Sequence, residues 1–140
     1  MHDKQIAEKV VAAMYDNDAF SQWLGIERVL VQQGHCIIRM TVRKEMLNGF
    51  GIAHGGITYS LADSAFAFAC NSHGRKSVSV ETSISHTQSL KEGDVIIAEA
   101  RELHVSNKIG IYQIEVINED GKIVALFKGT CYRTTNNWEL

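Results

Sequence analysis

The chain has 140 residues, 45% hydrophobic and 21% charged, which fits one globular domain, residues 1–140, around a single core. A net charge of −2, a pI of about 6.3 and the lack of a basic stripe argue against nucleic acid as a partner. The longest apolar stretch, Leu61 to Cys70, is too short to span a bilayer and contains Asp63, so no membrane partner is expected.

Met1-His2-Asp3-Lys4-Gln5 has no signal-peptide core and runs straight into a helical pattern. Ile6, Val10 and Met14, with Ala7 and Val11 beside them, form one apolar face. Asp18 is placed to cap a short second helix carrying Phe20, Trp23 and Leu24, and Gly25 to end it. The period then changes: Ile26 to Val31 and His35 to Val42 read as strands joined by Gln32-Gln33-Gly34. Lys44 to Ala53 is irregular. From Gly55 to Ser72, Ile57, Leu61, Ala65, Phe68 and Ala69 recur at helical steps, and Gly74 is a stop signal. Four strands follow, roughly Ser77 to Gln88, Val95 to Val105, Ile109 to Ile117 and Ile123 to Tyr132. With no proline in the chain, their turns are built from Gly, Asn, Asp and Ser.

The Gly55 helix is apolar nearly all round and has to be buried. With only antiparallel strands to cover it, the economical arrangement is an α+β one, a curved antiparallel sheet wrapped around one long central helix: the hotdog fold.

Chemistry concentrates at the start of that helix. Gly55 and Gly56 let another group approach the backbone. The first-turn amides there lack intrahelical partners and carry the positive end of the dipole, which suits an anion or a developing oxyanion. Asp63 is the one formally charged residue between His54 and His73, and a carboxylate in such a helix is costly unless satisfied or used. Ser60-Leu61-Ala62-Asp63 also matches a capping box, were the helix to begin at Ser60. Asp63 lies eight residues beyond Gly55, about 12 Å along the axis at ~1.5 Å per residue. That is too far to share a carbonyl with its own helix start. It fits the start of an antiparallel helix in a second subunit, making the functional unit at least a dimer.

Asn48-Gly49, His54-Gly55-Gly56 and Ser60 to Asn71 together resemble hotdog thioesterases of the phenylacetic acid degradation (PaaI) type. The likeness extends to Ala13-Met14-Tyr15-Asp16-Asn17-Asp18 and to Gly110 through Phe127, nearly the whole chain. The resemblance implies an acyl-CoA thioesterase that releases free acid and CoA from aryl-type thioesters, phenylacetyl- or hydroxyphenylacetyl-like, in phenylacetate catabolism. It implies Asp63 as nucleophile or general base and Gly55, helped by Gly56, as oxyanion donor. Asn48 would orient the water or thioester, His54 brace the loop or carbonyl, and Ser79 hold the water.

Such an enzyme would be a cytoplasmic homo-oligomer, dimer or tetramer, with its active site at the dimer interface and no cofactor beyond the CoA of its substrate. Cys36, Cys70 and Cys131, an odd and widely spaced set, fit reduced thiols in that compartment. No metal motif is present: H-x-H, HExxH and paired CxxC are all missing. Arg75, Lys76, Lys91 and Lys108 are the loop cations available for the CoA phosphates. One departure stands out. Where many family members carry an Arg-Pro step, this chain has His86-Thr87-Gln88-Ser89-Leu90-Lys91. Two other readings stay open: a hotdog hydratase or dehydratase on acyl thioesters, which would leave the thioester intact, and a non-catalytic acyl-CoA-binding module.

Overall fold

The stripe of Ala7, Val10 and Val11 is buried on one face of helix α1 (Asp3–Asp16) in the computed structural model, which describes residues 1–140. The Asp18 carboxylate accepts the Ser21 N–H at 2.9 Å and opens α2 (Ala19–Leu24), and Gly25 closes it. Strands β1 (Glu27–Gln32) and β2 (His35–Thr41) follow, then a short 3-10 turn (Lys44–Met46). The central helix α3 runs Gly55–Asn71, followed by β3 (Arg75–His86), β4 (Val95–Val105), β5 (Ile109–Ile117) and β6 (Ile123–Asn137).

The six strands form one antiparallel sheet in the order β1-β2-β4-β5-β6-β3. Helix α3 lies against β2 through β6, with Leu61, Ala62, Ala65, Phe66, Phe68 and Ala69 in the core. This is the hotdog fold expected from the order of elements. Gly129 in β6 lies directly against the Phe66 ring of the helix. A side-chain carbon there would fall 2.8 Å from the Phe66 ring, so glycine is what admits the ring.

The bounds of two strands, β3 and β6, differ most from the sequence expectation. β6 continues to Asn137 rather than ending at Tyr132, and β3 begins at Arg75 and ends at His86. Arg75 pairs with Asn137 and Ser77 with Arg133, while the Thr134 hydroxyl donates to the Lys76 carbonyl at 2.6 Å. These extensions are polar and largely exposed, so no alternation of apolar residues announces them. No helix is long and apolar enough to cross a membrane.

Candidate active site

The loop before α3 is held shape-first. The Asn48 side-chain oxygen accepts the N–H of Phe50 at 2.9 Å and of Ile52 at 3.4 Å. Its backbone N–H donates to the Ile52 carbonyl at 2.8 Å. With Oδ1 committed to the loop, the Asn48 amide nitrogen is left as the free donor. His54 sits at the N-cap and braces the loop through its main chain, its N–H donating to the Met46 carbonyl at 2.9 Å. Ala53 N–H donates to Leu90 O at 2.8 Å, tying this loop to the segment after β3.

Between those two segments opens a cleft of about 380 Å³ lined by Asn48, Gly55, Thr58, His86, Thr87 and Gln88, with Ile52, Ala53, Ser89 and Leu90. The structure thus brings Asn48 and Gly55 together, as the motif suggested. Neither Gly55 nor Gly56 gives its N–H to a backbone acceptor. Those amides point along the positive end of a 17-residue helix. The arrangement can hold an oxyanion without further rearrangement.

Asp63 stands two turns further along and does not line this cleft. The helix begins at Gly55, not Ser60. The Ser60 hydroxyl donates back to the Gly56 carbonyl at 2.7 Å, so the capping-box reading of Ser60 and Asp63 fails. Asp63 is half-buried, and burial alone raises its pKa above the ordinary carboxylate value, with no compensating hydrogen bond or cation in the protomer. Gly56, Ser60, Asp63 and Ala67 all retain exposure along one face of the helix.

The remaining candidates lie elsewhere. Ser79 is exposed on the edge strand β3, opposite Cys131 and next to a bulge at Val80. Arg75 is tied to Asn107, its guanidinium donating to both the side-chain and backbone oxygens of that residue. The Lys76 ammonium lies 5.2 Å from the centre of the Trp138 ring, and Lys108 is exposed in the same turn as Asn107. These three cations sit at the start of β3, while His86 and the cleft are at its end, about 36 Å away for an extended strand. Lys91 is exposed beside cleft residue Leu90. Cys36, Cys70 and Cys131 are free and buried, and burial pushes the Cys36 thiol up to about 12. No group of three or more His, Cys, Asp or Glu side chains is placed to hold a metal ion.

Two cleft residues were not singled out from the sequence. Thr58 is nearly inaccessible at the cleft wall, and His86 packs against Gly55. Thr58 carried a weak signal, being one turn from Gly55 on the same helix face. His86 had only the missing Arg-Pro step to mark it.

Comparison with known proteins agrees with this geometry. Residues 50–125 match the family model described as the thioesterase superfamily. A putative esterase of Archaeoglobus fulgidus is 40% identical over 96% of this chain and 87% of its own. Acyl-coenzyme A thioesterase PaaI of Escherichia coli is 42% identical over 86% of each chain. The structure of the E. coli PaaI protein from the phenylacetic acid degradation operon superposes with a TM-score of 0.95 at 38% identity, covering 97% of this chain and 99% of that one. A Streptococcus mutans protein solved bound to acetyl CoA superposes at 0.78 with 27% identity, over 81% of this chain and 91% of its own. With its hotdog sheet, its glycine-started central helix and a family match spanning more than half its length, the chain belongs to the thioesterase superfamily.

Proposed function

We propose that this protein is an acyl-CoA thioesterase that hydrolyses aryl-type CoA thioesters, phenylacetyl- or hydroxyphenylacetyl-like, to the free acid and CoA. The observation that carries the reading is the pair of unpaired Gly55 and Gly56 amides at the head of a buried helix, beside a cleft and the free Asn48 donor. A thioester carbonyl placed there has its developing charge met by groups that need no reorganisation. The E. coli relative supports the thioesterase activity and the phenylacetate setting, and the S. mutans relative supports a CoA ligand.

Asp63 supplies the carboxylate, as base or nucleophile, from a second protomer. β3 is paired on one side only, with β6, and carries Val78 and Val80 at 54% and 59% exposure. An open edge of this length is a template for a second copy. Twofold pairing through β3 sets the two α3 helices antiparallel, with the Asp63 of one near the Gly55 of the other. It also carries Arg75, Lys76 and Lys108 from the far end of β3 toward the neighbouring cleft, where they meet CoA phosphates together with Lys91. Ser79, on that shared edge, holds the attacking water. The assembly is a dimer or a tetramer built from such dimers. The three free, buried thiols support a reducing, cytoplasmic setting.

The test is release of free CoA thiol from a panel of aryl and aliphatic acyl-CoAs, with wild type beside Asp63→Ala. Turnover of phenylacetyl-CoA that vanishes in the variant is the expected result. No thiol from any substrate, with folded protein, overturns the reading. Loss of an α,β-unsaturated acyl-CoA of the panel without thiol release points to addition of water across its double bond.

A further inference from the structure

The cleft contains one side chain able to ionise, and it has no role in the chemistry described so far. His86 ends β3, and its imidazole lies against the head of α3. The point where a side-chain carbon on Gly55 would sit is 3.2 Å from His86 Nε2 and 3.4 Å from Cε1. Here the missing side chain of Gly55 makes room for the ring beside the very amide that faces the thioester oxygen.

The His86 backbone is carried by a rigid element, while its ring is exposed. His86 is in register with Ala125 of β6, and the next residue is pinned twice, with Thr87 N–H donating to the Val124 carbonyl at 2.9 Å and its hydroxyl to the Ile123 carbonyl at 2.7 Å. Gln88 accepts from the Asn118 amide at 3.3 Å. Both ring nitrogens of His86 are without a protein partner, and of the side chains in this stretch His86 is the one that lies against Gly55. A placed but unengaged donor, a few ångströms from an unpaired helix-start amide, is the arrangement an oxyanion hole requires.

We infer that His86 is a catalytic residue, whose Nε2–H donates a second hydrogen bond to the thioester oxygen that accepts from the Gly55 amide. This rests on the thioesterase reading for its substrate. In the tautomer protonated at Nε2 the ring donates without transferring its proton, so the bond strengthens as the oxygen gains charge and relaxes when the thiol leaves. It takes a place in which an Arg-Pro step is absent, and it adds a donor at the carbonyl.

Two variants separate the donor from the ring. His86→Phe keeps a flat ring against Gly55 and removes the N–H, while His86→Gln keeps an N–H near the Nε2 position and removes the ring. With phenylacetyl-CoA, His86→Phe is expected to lower kcat by about 10²–10³ with KM little changed, the size of losing one oxyanion donor. His86→Gln is expected to recover at least a tenfold share of that loss. A second readout does not depend on turnover: the ¹³C shift of the carbonyl in a bound ketone analogue of phenylacetyl-CoA, S-CH2-C(=O)-R. That carbon should be more deshielded in wild type and His86→Gln than in His86→Phe. Wild-type kcat and an unchanged carbonyl shift in His86→Phe overturn the inference, as does equal loss in both variants, which assigns the effect to ring packing. If wild type releases no thiol, the thioesterase reading fails, and the carbonyl shift still decides whether His86 bonds the carbonyl.

Discussion

Asp63 is poorly served by its own protomer. Half-buried and without a partner, its carboxyl is held above the ordinary carboxylate range by burial, so its ionised form opposes folding. Between the unfolded and folded pKa values the native state binds more protons than the unfolded one, and stability therefore falls as pH rises through that window. Asp63→Asn should raise the melting temperature at pH 7 and leave it nearly unchanged below pH ~3, where the carboxyl is protonated in both states. Thermal denaturation of the two proteins at both pH values checks this. The same variant should lose about 10²–10⁴ in kcat, the span of general acid–base catalysis. A residue that costs stability yet is needed for turnover is spent on function. Asn48 makes a complementary case. Asn48→Asp retains an oxygen for the Phe50 and Ile52 amides but removes the free donor. It should leave the melting temperature intact while lowering kcat by about 10²-fold, which steady-state kinetics beside circular dichroism will show.

Among the elements, α3 and β6 are coupled through Gly129 and Phe66. Gly129→Ala drives a methyl group into the ring and should cost about 1–3 kcal/mol; Phe66→Ala empties a core site and should cost about 3–5 kcal/mol. Because the two share one contact, adding Phe66→Leu to Gly129→Ala should recover part of the first loss rather than add to it. Urea midpoints for the single and double variants measure this. The elements themselves were largely legible in the chain. Helix α3 was read from its apolar positions because burial imposes a period, and β4 and β5 emerged with the bounds Val95–Val105 and Ile109–Ile117. The polar ends of β3 and β6 were not legible, since strands exposed on both faces carry no such period. At the site, a motif places Asn48 and Gly55 close in sequence, and both line the cleft. His86 reaches Gly55 from 31 positions away, through the pairing of β3 with β6, and no local pattern encodes that approach.

For the whole molecule, one protomer presents oxyanion donors and a carboxylate that do not meet. On the proposed reading, the open β3 edge and the exposed stripe of α3 around Asp63 are the surfaces through which a second copy would complete the site. Val80→Lys, a charge on that edge, should yield a folded species sedimenting near the 15.6 kDa of one chain and lacking thiol release. Sedimentation velocity with a thiol assay on the same fractions reads both properties.

The most direct test of a shared site mixes two inactive chains. Asp63→Ala lacks the carboxylate, and Gly55→Val fills the helix start, its first side-chain carbon meeting the exposed His86 ring. Unfolded together and refolded, the pair should recover about a quarter of wild-type thiol release, the share of intact sites in a random mixture of twofold dimers. Each variant refolded alone should remain inactive. A mixed sample that dimerises normally yet stays as inactive as its parents contradicts a site assembled from two protomers.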